Sequence, residues 1–200
     1  MRKLICESVL LVGACLLTST IAGAQPEPVT RPAVSTDIAV TFNLERADVV
    51  PTECCFWMKG GAADVAVTFW KGVGVAATVT GDHVSNYASG YNVNKIAFMA
   101  GPRYTRSLSN RIQVYGDGLL GEVHAFDGTF PSAATLESTA GSFSLQTGGG
   151  VNMFVSRSFG IRLIEADYVR TLLPNGSANV QNDMQLDFGV TYHMGHGPRP

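Results

Sequence analysis

Apolar and polar residues alternate with a period of two through most of the chain from Asp37 onward. The last run is the clearest. Between Asp183 and Met194, the residues Met184, Leu186, Phe188, Val190, Tyr192 and Met194 share one face. Asp183, Gln185, Asp187, Gly189, Thr191 and His193 share the other. Successive side chains of a strand point to opposite faces, so this segment reads as a strand with one apolar and one polar face. Seven earlier segments repeat the pattern. In Asp37–Glu45, Ile38, Val40, Phe42 and Leu44 oppose Ala39, Thr41 and Asn43. Ala62–Trp70 aligns Val65, Val67 and Phe69, and Val73–Gly81 aligns Val73, Val75, Ala77 and Val79. In Lys95–Tyr104, Ile96, Phe98, Ala100 and Tyr104 oppose Met99, Gly101 and Arg103. Ile112–Phe126 is Gly-rich and less regular, and Ser142–Phe154 and Ile161–Thr171 follow. The fold class is all-β.

The connections alternate in length. Lys71-Gly72, Arg106–Asn110 and about Ser156–Phe159 are short. Arg46–Gly61, Asp82–Asn94, Asp127–Gly141 and Leu172–Asn179 are long and rich in turn residues. This alternation predicts an eight-stranded antiparallel up-and-down barrel. Two arrangements satisfy it. A lipocalin-like soluble barrel turns the apolar face inward, whereas a transmembrane barrel turns it to lipid. Three features favour the membrane. The final strand has about the roughly 9–11 residues that cross a bilayer when tilted. Charged residues are 15% of the chain, against roughly 25% in soluble domains. Aromatic residues gather at strand ends (Phe69, Trp70, Tyr104, Phe154, Phe159, Tyr168, Tyr192), as expected of interfacial girdles.

The N-terminus reads as an export signal over residues 1–24. Arg2 and Lys3 precede an apolar stretch, and Ala22-Gly23-Ala24 forms a small-residue cleavage site before Gln25. Glu7 is unusual inside it. Residues 25–36 contain Pro26, Pro28 and Pro32 and read as a periplasmic lead-in. The barrel is assigned to residues 37–195 and a periplasmic tail to 196–200. Losing Arg2, Lys3 and Glu7 moves the formal net charge from −2 to −3. No basic patch points to nucleic acid. Cys54 and Cys55 are adjacent in a loop, with no histidine nearby to complete a zinc site.

The chain resembles the small eight-stranded outer-membrane barrels of the OmpA-transmembrane and opacity-protein type, including acidobacterial-like members. The residues that carry the resemblance are Cys55-Phe56-Trp57-Met58-Lys59-Gly60-Gly61, Phe98-Met99-Ala100-Gly101-Pro102-Arg103-Tyr104, Gly148-Gly149-Gly150-Val151, Ile161-Arg162, and Glu165 through Thr171. The final strand also looks like the C-terminal insertion signal of such barrels, although Met194 and six more residues replace the usual aromatic end. The resemblance implies a bacterial outer membrane location. It implies contact with outer-membrane lipids and lipopolysaccharide, and engagement of the barrel-assembly machinery by the last strand. It names no extracellular ligand.

Arg103, Asp117, Glu165, Asp167 and Asp187 are expected to point into the barrel as a structural charge network. Buried charges need partners. Arg162 has the opposite parity to Glu165 and Asp167. It is expected either to snorkel at the periplasmic interface or to be brought into phase by a bulge. His83-Val84-Ser85-Asn86 resembles the His-x-Ser-Asn stretch of lipid A deacylases, but no acid lies at the spacing that would orient the histidine. His193 and His196 read as part of a solvated end. No catalytic residue, cofactor or metal ligand is assigned. A non-enzymatic structural or surface role leads, with a deacylase using His83 and Ser85 or a narrow solute pore as alternatives.

Overall fold

The computed structural model describes residues 34–47, 56–88, 91–131, 136–175 and 179–195. The export signal, the lead-in through residue 33, Cys54, Cys55 and His196 lie outside them. Eight strands form one closed antiparallel barrel: β1 (Ser35–Ala47), β2 (Phe56–Trp70), β3 (Val73–Ala88), β4 (Tyr91–Ser107), β5 (Ile112–Pro131), β6 (Leu136–Phe154), β7 (Phe159–Thr171) and β8 (Gln181–Gly195). Each strand pairs with its sequence neighbours, and β8 closes on β1 with Phe42 opposite Phe188. Closure leaves no unpaired strand edge.

The side-chain alternation resolves which face is inside. Val40, Phe42, Val75, Val79, Phe98, Phe143, Phe188 and Val190 are exposed on the outer wall. Asp64, Arg103, Asp117, Arg162, Asp167 and Asp187 are buried. A soluble barrel would reverse this, because so large an apolar exterior is not tolerated in water. The wall is a lipid-facing surface, and bacterial barrels of this kind reside in the outer membrane. No helix among the described residues is long and apolar enough to cross a membrane.

Several expectations are revised by the ladder. Of the four long connections, Asp82–Asn94 and Asp127–Gly141 are mostly strand and Arg46–Gly61 is half strand, whereas the described residues 172–175 and 179–180 lie outside the strands. A strand the length of β5, 20 residues, rises about 50 Å at ~3.3 Å per residue and ~40° tilt, twice a band of about 25 Å. The β5–β6 hairpin therefore continues well past the lipid. At the opposite end the β2–β3 turn is the tight Lys71-Gly72 pair, both residues having positive φ (46° and 91°). That is the mirror-image turn whose twist matches flanking strands. Phe154, assigned above to a girdle, is buried in the bore at 1% exposure. His193, read above as solvated, is buried beside it.

The parity of Arg162 is settled by a bulge in β7. Leu163 and Ile164 are both exposed, and the pairing with β8 shifts between Arg162 and Glu165. Two consecutive residues face lipid, so Arg162 and Glu165 both face the bore.

Candidate functional site

Inward side chains stack along the bore from the short-turn end to the projecting end. At the short-turn end, His193 Nδ1 lies 2.6 Å from the Asp37 carboxylate, and the Phe154 ring meets the imidazole edge-on at 5.8 Å between centroids. Asn152 donates to Gln113 (3.1 Å) and accepts from Arg162 Nε (3.3 Å). This chain links the end of the bore to its middle.

The middle is built on two guanidiniums. Arg162 donates to Glu165 (2.6 Å) and to Asp64 (2.8 Å). Arg103 contacts Asp64 (2.8 Å), grips Asp117 through Nε (2.8 Å) and a terminal nitrogen (2.5 Å), and lies 3.7 Å from Glu165. Asp64 thus bridges the two arginines. Both guanidiniums lie over the Tyr115 ring, at 4.4 Å and 4.9 Å from its centroid. Cations over an aromatic face are stabilised further when desolvated. Glycines in β6 make the room. A Cβ on Gly150 would sit 2.5 Å from the Tyr115 hydroxyl, and one on Gly148 would sit 2.0 Å from Asp167 Oδ1.

Above this layer Asp167 and Asp187 lie beside Glu165, with a carboxylate oxygen of each within 4.8 Å of the others. Asp187 accepts hydrogen bonds from Gln185 (2.8 Å) and Thr41 (3.2 Å). Farther along, Lys95 is paired with Glu45 and lies 3.8 Å from Asp82. At the projecting end Ala47, Met58, Val93, Phe130 and Leu173 are at most 3% exposed and belong to one apolar cluster. Gln181 pins Leu173 there through both its backbone N–H (3.0 Å) and its carbonyl (2.9 Å).

All five residues expected in the interior network are buried. Arg103, Asp117 and Glu165 share ion pairs, whereas Asp167 and Asp187 sit beside them. Sequence reasoning left out Asp64 and left Arg162 either at the interface or, through a bulge, in the bore; the two join the pairs into one network. Asp64 carried a signal, since it lies on the face of β2 opposite Val65 and Val67. It also missed Tyr115, the Lys95–Glu45–Asp82 group and the Asp37–His193 pair.

The residues singled out for hydrolysis lie on the outer wall. His83 and Ser85 are exposed. His83 Nδ1 is 2.7 Å from Asn94 Oδ1, and Asn94 donates to Asp127 (2.6 Å). An amide therefore occupies the place where a triad needs a carboxylate. Among the described residues no hydrogen bond joins His83 to Ser85.

No protein-family model matches the sequence, and no curated protein matches it. Solved structures do match. Ail, the attachment invasion locus protein of Yersinia pestis, solved with the heparin analogue sucrose octasulfate, is 18% identical, with 80% of this chain and 99% of that one covered and a TM-score of 0.56. A second crystal structure of Ail is 18% identical, with coverage of 82% and 100% and a TM-score of 0.53. Neisserial surface protein A is 13% identical, with coverage of 78% and 96% and a TM-score of 0.63. Identities this low carry the fold alone. The chain is an all-β, eight-stranded barrel of the outer-membrane type, a fold it shares with Ail and Neisserial surface protein A.

Proposed function

We propose that the protein is a non-enzymatic barrel of the bacterial outer membrane with a structural or surface-interaction role, its bore plugged by side chains. The observation that carries this reading is the packing of inward side chains along the bore. The Arg103–Asp64–Arg162 network lies in the middle, an apolar cluster packs at the projecting end, and the cavity between the central charges is about 10 Å³. Arg103, Asp117, Glu165, Asp167 and Asp187 act as structure: the ion pairs and hydrogen bonds of all but Asp167 tie distant strands together and fix register. The names of the matched proteins, an attachment invasion locus protein and a surface protein, agree with display at the cell surface. Outer-membrane lipids and lipopolysaccharide are the partners of the outer wall. The barrel-assembly machinery is the partner of β8 during insertion. The outer-wall histidine, held by an amide and not bonded to Ser85, supports the non-enzymatic reading.

The test combines three measurements on the mature chain. In planar bilayers the parent should give no conductance steps above the lipid baseline; stable openings would replace the plugged reading with a pore. Lipid A mass spectra from cells with parent, Ser85→Ala and empty vector should match; loss of an acyl chain with the parent alone would establish the deacylase. An epitope tag within 132–135 should be accessible on intact cells and one at Ser109 should not. The reverse pattern would invert the topology.

A further inference from the structure

The geometry points to a binding site for one hard divalent cation of about calcium's size in the middle of the bore, held by Glu165, Asp167 and Asp187. This goes beyond the structural role and does not depend on what the projecting hairpins meet. The three carboxylates come from β7 and β8, and the bulge in β7 brings Glu165 and Asp167 to the same side as Asp187. One oxygen of each lies within 4.8 Å of the others, a spread that ligand–ion distances of about 2.3–2.6 Å can bridge.

Independent features of the site ask for a cation. Asp167 is only 2% exposed, and neither of its carboxylate oxygens has a hydrogen-bond partner. The side-chain oxygen of Gln146, 3% exposed, is also unpartnered. Both residues line the same cavity of about 10 Å³, together with Glu165, Asp187 and Gln185. That volume admits a single water-sized body. The surroundings are short of positive charge. Among the described residues, Asp64, Asp117, Glu165, Asp167 and Asp187 face two cations, Arg103 and Arg162, a formal charge of −3 when all are ionised. A divalent ion brings this to −1. Both arginines are committed to Asp64, Asp117 and Glu165, which leaves Asp167 as the carboxylate that a cation would satisfy. The donor set is all oxygen, the preference of calcium and not of zinc or copper. Because the bore is filled on both sides, the ion enters as the barrel closes.

The experiment refolds the full mature barrel from urea into detergent with calcium or with chelator, then passes it through a chelating column to strip surface ions. Elemental analysis should find about one calcium per barrel after refolding with calcium, and the folded band on unheated gels should convert at a higher temperature than after refolding with chelator. Asp167→Asn should retain no calcium and lose that difference. If Asp167→Asn does not refold, Gln146→Met, which removes the unpartnered amide oxygen lining the cavity, should lose the ion to the column. A parent that retains no divalent ion overturns the site and leaves protons to neutralise the carboxylates. Retention undiminished in a refolded variant also overturns it, because the ion is then held elsewhere.

Discussion

Arg162→Met tests whether the bore is held together by charge pairing. The arginine is 1% exposed and donates to Glu165, Asp64 and Asn152, on strands β7, β2 and β6. Methionine fills similar space without charge. Removing one partner of a buried ion pair costs about 3–5 kcal/mol, chiefly because the remaining charge is left in low dielectric. Arg103 stays 2.8 Å from Asp64 and 3.7 Å from Glu165, so the lower half of that range is expected. Small proteins lose about 1–3 kcal/mol of stability per molar urea. With a slope near 2, the unfolding midpoint should fall by about 1.5–2 M. The assay is urea unfolding of the folded barrel in lipid vesicles, followed by tryptophan fluorescence. Adding Glu165→Gln to Arg162→Met should recover part of the loss, since the orphaned carboxylate is then gone. An unchanged midpoint in Arg162→Met would refute the reasoning, because it would mean that the interior solvates Glu165 as well as the guanidinium does.

Phe188 packs on Phe42 across the β1–β8 seam at 5.3 Å between ring centroids, and Phe188→Arg should cost about 2–4 kcal/mol on a lipid face near the midplane. Phe188→Leu should be tolerated, with the folded fraction read from the band shift between unheated and boiled samples. Gly72→Ala places a Cβ 2.3 Å from the Thr105 carbonyl oxygen at a φ of 91°. It should lower stability by at least about 1 kcal/mol, and an unshifted urea midpoint would argue against the mirror-image turn. Deleting Ile164 removes the bulge and forces either Arg162 or the Glu165–Asp167 pair toward lipid. The deletion should abolish the folded band, whereas Ile164→Leu should preserve it.

The strands were legible because a wall with lipid on one side and packed polar groups on the other imposes a period of two. The same rule explains what was lost. Past the lipid the outer face no longer needs to be apolar, so Leu136–Ala140 read as loop although it pairs with β5. The bulge left Arg162 open between two positions, since parity alone does not separate a bulged Leu163-Ile164 from an interfacial arginine. Phe154 shares the face of Asn152 and Gln146, so its parity pointed inward. Its aromatic character suggested a girdle, but the ring instead lies against the buried His193 imidazole. Asp64 was readable by parity alone, whereas its role between two arginines depends on strands far apart in sequence. Such cross-bore pairs have no sequence spacing to betray them.

The ladder that carries β5 and β6 past the lipid also determines how this surface is recognised. A backbone already hydrogen-bonded as sheet has little conformational freedom left to lose, so a binder meeting it forgoes most of the ordering cost that a slack loop imposes. The epitope is then a shape shared by two strands and is erased when the barrel is boiled. Antibodies raised against the native protein should stain the fast-migrating folded band and miss the denatured one.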